Sequence, residues 1–237
     1  MHIGNAKLNP HIVKKAAPLP VDILAEGVTA ALAWSTYDSL LWAAMAVITF
    51  LSCCCVQEVS EYNNPLFQDT TKHTLRDTVR TSASGFSVTL PYHKADPLYT
   101  GSKLFFTVKH TGDFFVILCT YLLVHKARFG VGGSLWLGAN GATPTHHWFV
   151  DRTKHCCRTV YSGHSHHAGG ATFYARRSVS DEEIKCLGCW KSDTWNDYVR
   201  LQPEITIAVL NRSADVERLQ APTLPAALCA HLHELVR

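Results

Sequence analysis

Charge is scarce in this chain. Only 17% of its 237 residues are Asp, Glu, Lys or Arg, and the net charge is +3 with histidines neutral. That balance permits contact with phosphates, but it lacks the broad basic excess from which a strong nucleic-acid binder is read directly. A secretory leader is missing, as are an internal repeat and a second Cys-x-x-Cys to partner Cys186-Leu187-Gly188-Cys189. Without a leader, nine cysteines, several adjacent (Cys53 to Cys55, Cys156 and Cys157), are expected to be reduced thiols and not a secreted disulfide framework. An intracellular protein is therefore expected. With 47% hydrophobic residues the chain can bury one good core, so one main domain is expected.

From Ser39 to Val56 charge is absent for about the length a bilayer-spanning helix requires. Asp38 and Glu58 close this run, Ser and Cys are frequent in it, and no basic cluster flanks it as the positive-inside rule prefers. The expectation is a buried core helix and no membrane.

Pro18-Leu19-Pro20 marks the start of a first helix running toward Ala33, after a polar tail over residues 1–17. Trp34 to Asp38 offers N-cap residues for the apolar second helix. Phe86 to Leu90 and Leu104 to Lys109 are rich in strand formers and flank the turn-rich segment Pro91 to Gly101, which predicts a β-hairpin carrying Lys94. Helices are expected over Phe114 to Lys126, after Pro144-Thr145, from about Gly169, over Asp181 to Gly188, and from Ser192 to about Arg200. A mixed helix after Pro203 and a weakly specified tail complete the chain. The fold class is mainly α with a small antiparallel β-sheet.

Three ordered motifs sharpen this outline. They are Leu90-Pro91-Tyr92-His93-Lys94-Ala95-Asp96-Pro97, then Ser162-Gly163-His164-Ser165-His166-His167-Ala168-Gly169-Gly170-Ala171-Thr172, then Leu187-Gly188-Cys189-Trp190-Lys191-Ser192-Asp193 followed by Tyr198. Together they resemble the catalytic half of tyrosine recombinases of the phage-integrase type, and especially the transposon-derived DNA breaking-rejoining enzymes of fungal genomes. The resemblance runs from about Pro18 to Val209. It implies the tyrosine-recombinase catalytic-domain fold over residues 18–212, with 213–237 a tail or an assembly helix. It also implies that residues 1–17 are the remnant of a linker from a missing DNA-clamping domain. Double-stranded DNA, held by its phosphates, is the implied partner, with a homo-oligomer on DNA possible and the nucleus as workplace.

The resemblance also implies a chemistry that needs no metal or cofactor. Tyr198 would attack a DNA phosphodiester as a phenolate and keep the bond energy in a 3′-phosphotyrosyl link. A tyrosine whose free pKa is about 10 needs a neighbour to take its proton, and His164 is the acid/base candidate. Lys94 would protonate the leaving 5′ oxygen, and Trp190 would wall the site. Taken singly, these residues would read as a core aromatic, a helix cap and a solvated turn lysine.

The departures matter as much. Such enzymes neutralise the phosphorane with two arginines, whose planar forks donate paired hydrogen bonds. This chain has Cys55 at the first position, in Cys55-Val56-Gln57-Glu58, and His167 at the second, three residues after His164. Cys189 stands nine residues before Tyr198, where His, Trp or Arg is usual. Loss of one charged donor costs two to three orders of magnitude in rate, roughly 3 to 4 kcal/mol, so very weak or absent cleavage is expected. A protonated His167 would substitute in part; Cys55 would not. Arg codons of the CGN type become Cys or His codons by one C-to-T transition, and His146 fits that series with Cys55, His167 and Cys189. A transposon copy damaged by cytosine deamination is the inferred history. Two further readings stand beside this one: a catalytically dead DNA-binding or protein-interaction remnant, and a zinc module built on Cys186 and Cys189 with nearby His155, Cys156, Cys157, His164, His166 and His167.

Overall fold

The computed structural model describes residues 16–92, 101–177, 179–188 and 222–236. Its centre is α2 (Tyr37–Leu51), in which every residue from Ser39 to Leu51 is buried. A helix apolar on all sides must be enclosed on all sides, and α2 is enclosed by α1 (Val21–Leu32), α4 (Phe114–Phe129), α5 (His146–Cys157) and α6 (Gly163–Arg176). At 15 residues it spans about 22 Å, short of the roughly 30 Å of a bilayer core. Among the described residues no helix is long and apolar enough to cross a membrane. Burial of Trp42, Phe50, Leu41 and Ile48 contributes about 1.5–3 kcal/mol each.

Local chemistry sets the helix starts. Pro20 precedes α1 with its ring-fixed φ of −66° and leaves its carbonyl to accept from Leu24 N. Thr36 caps α2, its hydroxyl accepting from Ser39 N at 3.1 Å. Thr145 caps α5 through Trp148 N at 3.3 Å. The Trp42 indole N–H then donates to Thr153 Oγ1 at 3.3 Å, tying α2 to α5 across the core.

The seam between α2 and α6 is a close backbone contact and the one that builds the site. A Cβ on Gly170 would lie 2.0 Å from the Phe50 carbonyl oxygen, and one on Gly169 would lie 2.9 Å from the Phe50 ring and 2.2 Å from the carbonyl oxygen of Leu19, ahead of α1. Only glycine lets the backbones approach this far. Tyr174 reinforces the seam by donating to the Leu51 carbonyl at 2.7 Å. Gly169-Gly170 is thus mid-helix, and α6 begins six residues before the start expected from sequence.

A three-stranded antiparallel sheet flanks the helices, in the order β1 (Arg80–Ser82), β2 (Gly85–Leu90), β3 (Ser102–Thr107). Phe86 pairs with Phe106, their rings stacked at 4.6 Å. β2 and β3 are the expected hairpin; β1 is an addition to it. After β3 come one turn of helix, α3 (Val108–Thr111), then α4, and beyond α6 a short α7 (Asp181–Leu187). The last helix, α8 (Ala226–Val236), packs on α4 of the same chain. Asp113 ahead of α4 holds its approach, accepting from Leu224 N at 2.9 Å and donating its own N–H to the Pro222 carbonyl.

Candidate active site

Cys55 sits just past the end of α2. Cys53 adopts φ 49°, which turns the chain out of the helix. Cys55 then opens a single 3-10 turn, Val56–Glu58, and the Glu58 carboxylate accepts from Cys55 N at 3.0 Å. That reciprocal cap holds the thiol in a fixed, half-buried place. Facing it is His167, on the second turn of α6, with its Nδ1 3.6 Å from Cys55 Sγ. These two residues are 112 positions apart in sequence, and the α2–α6 seam is what brings them together.

Two more histidines belong to the same corner. His164 lies one turn before His167 and is exposed. His146 is the first residue of α5, and a Cβ on Gly163, the first residue of α6, would come within 3.2 Å of its Nε2. The N-termini of α5 and α6 therefore meet here, and their helix dipoles favour negative charge nearby. The first N–H groups of α5 are already taken, by the Glu61 carbonyl, Asn63 Oδ1 and Thr145 Oγ1.

Burial keeps two of these imidazoles neutral. Burial, helped by His164, pushes the His167 ring down to about 4. Burial, then His164 and His147, lowers His146. At neutral pH His167 is thus an uncharged donor or acceptor, well short of a guanidinium, and even the fractional charge expected from its ordinary pKa is lost. His166, between the two, belongs to the core: its Nδ1 faces the Ser162 carbonyl at 3.3 Å, its ring packs on Phe149, and burial pushes it to about 4.

A groove borders the turn that follows Cys55. Glu58, Glu61, Lys72, His73, Tyr92 and Trp136 line it. Glu61 and His73 are hydrogen-bonded in its wall, and the Lys72 ammonium lies 5.0 Å over the Tyr92 ring. Tyr92 is the last described residue before segment 93–100, so the root of the Lys94 hairpin stands in the groove that Glu58 also borders. Neither Lys72 nor the Glu61–His73 pair was indicated by the motifs; their residues sit in short turns with no periodic signal.

Of the residues singled out from sequence, the structure brings together Cys55, His167 and His164. Lys94, Cys189, Trp190 and Tyr198 lie outside the described residues, as do Cys189 and the Cys186 side chain for the zinc module. Among the described residues no group of three Cys, His, Asp or Glu side chains is placed to hold a metal ion.

The sequence matches no known family model and none of the curated proteins. Solved structures do match. The XerH site-specific recombinase on palindromic difH substrate, post-cleavage, superposes with a TM-score of 0.59 at 9% identity, over 84% of this chain and 54% of that one. The pre-cleavage XerH complex with difH gives 0.56 at 10%, over 83% and 54%. A Flpe–Holliday junction complex gives 0.50 at 9%, over 87% and 55%. The chain spans about half the length of these neighbours. What it shares with them is the fold: mostly helical with a three-stranded antiparallel sheet, the fold of the tyrosine-recombinase catalytic domain.

Proposed function

We propose that this chain is a DNA-binding protein of tyrosine-recombinase descent, in which strand cleavage through a 3′-phosphotyrosyl link is very weak or lost. The observation that carries the reading is the Cys55–His167 contact at 3.6 Å. The motifs assign these two residues to the paired phosphate-clamp positions, and a correct assignment requires them to be neighbours despite their separation in sequence. Their position near the positive dipole ends of α5 and α6 is compatible with an anionic ligand.

In this reading Tyr198 is the nucleophile and His164 relays its proton. Lys94 donates to the leaving 5′ oxygen, and Trp190 and Cys189 wall the phosphate. Cys55 and His167 leave the non-bridging oxygens without paired cationic donors, so binding outlasts cleavage. Residues 18–212 form the catalytic-domain unit, and α8, packed on α4 of its own chain, would have to release that contact to reach a second protomer on DNA. The source is a transposon-derived copy of the kind found in fungal genomes, working in the nucleus.

Nicked suicide substrates test this. A trace covalent protein–DNA adduct, absent in Tyr198→Phe, is expected. Rapid adduct formation by the unmodified chain would overturn the clamp assignment. DNA affinity should fall steeply with salt, as phosphate contacts do.

A further inference from the structure

The thiol and imidazole of this corner are two ligands that a borderline-soft metal prefers. A zinc ion held by a thiolate at about 2.3 Å and an imidazole at about 2.0–2.1 Å, with the tetrahedral angle between them, keeps sulfur and nitrogen about 3.5–3.6 Å apart. Cys55 Sγ and His167 Nδ1 are 3.6 Å apart. Their backbones are fixed independently, one by the Glu58 cap and the other by the α2–α6 seam.

A third ligand is within reach. His164 is at i−3 from His167, on the same face of α6, is exposed, and is close enough to act electrostatically on both His167 and His146. As placed, the three do not surround one point, so His164 must turn about its side-chain bonds, which its exposure allows. We propose that Cys55, His167 and His164 form a zinc-binding site, with water or an anion oxygen in the fourth position. On binding, the Cys55 S–H bond breaks and its proton goes to buffer. The thiolate pair, the His167 Nδ1 lone pair and a His164 ring-nitrogen lone pair are donated to the ion, and nothing is oxidised or reduced.

Reduced, chelator-stripped full-length protein is titrated with Zn2+ against a chromophoric chelator. One tight equivalent is expected, weakened at least tenfold in Cys55→Ser and in His167→Ala, weakened less in His164→Ala, and unchanged in Cys156→Ser. On the unmodified chain, where no variant's folding enters, Zn2+ should slow alkylation of Cys55 at least tenfold, read by fragment-resolved mass spectrometry. Equal tight uptake by wild type and Cys55→Ser, no uptake, or Cys55 alkylation indifferent to Zn2+ would overturn the site. Uptake is read without DNA, so its outcome is separate from that of the strand-cleavage reading.

Discussion

The α2–α6 seam and the corner beyond its end are built from the same two helices, yet their residues answer to different demands. In the seam, Gly169 and Gly170 lie against the Leu19 and Phe50 carbonyls with no room for a methyl, and Tyr174 closes it by a hydrogen bond to Leu51. One turn away, the corner holds a thiol, several imidazoles and two helix N-termini, where charge and not volume decides what works. A misfit in the seam is felt by the whole core, whereas a change of polar side chain at the corner is felt locally. Scaffold and chemistry can therefore drift apart, and a chain with this fold need not keep its reaction.

The largest effect that would break this contrast belongs to the seam. Gly170→Val places side-chain carbon against the Phe50 carbonyl, where even a Cβ stands at 2.0 Å. Overpacking of this kind costs about 1–3 kcal/mol or more, and a backbone contact cannot rotate away. Chemical denaturation should show a much lower midpoint or no cooperative transition; a wild-type midpoint would mean that the seam is looser than described.

The corner should accept changes that the seam does not, at a cost. Cys55→Arg with His167→Arg puts a guanidinium where His167 is buried, so the denaturation midpoint should fall by about 0.5–3 kcal/mol while the transition stays cooperative. The same pair should raise DNA-adduct formation by about two to three orders of magnitude, the typical worth of a charged donor at a developing oxyanion.

Next in size is acid sensitivity. Buried His166 and His167 are held near about 4 in the folded chain, below the ordinary histidine value of about 6.5. The unfolded chain therefore takes up protons first, and stability present in full above about pH 6.5 is lost as the pH falls toward 4. The loss is on the order of 3 kcal/mol per fully buried ring. His166→Gln should make the acid limb of stability against pH shallower; an unchanged limb would show that His166 is not neutral and buried.

The smallest effect is local. Thr36→Ala removes the cap on α2 and should cost about 1 kcal/mol, read as a small shift in thermal midpoint.

The elements that sequence reading reached are those whose signals are chemical and continuous. The uncharged run from Ser39 predicted a wholly buried α2, and the strand formers around Phe86 and Leu104 predicted the hairpin. It missed β1, because Arg80, Thr81 and Ser82 are exposed and too few to alternate. It placed the start of α6 late, because Gly169-Gly170 reads as a helix boundary until the neighbouring backbone is seen. The ordinary composition of α8 concealed that Asp113 and α4 hold it. In the corner, Cys55 and His167 were paired through the motif resemblance alone, since no periodicity links positions so distant. Lys72 and the Glu61–His73 pair in the groove carried no signal at all.

The most direct test of the account is adduct formation on a nicked DNA substrate by Cys55→Arg/His167→Arg, compared with the unmodified chain and with the same double variant carrying Tyr198→Phe. The account predicts a covalent adduct in the double variant at least about a hundredfold above the unmodified chain, and none once Tyr198 is Phe. A folded, DNA-bound double variant that forms no adduct, or an adduct that persists in Tyr198→Phe, would contradict it.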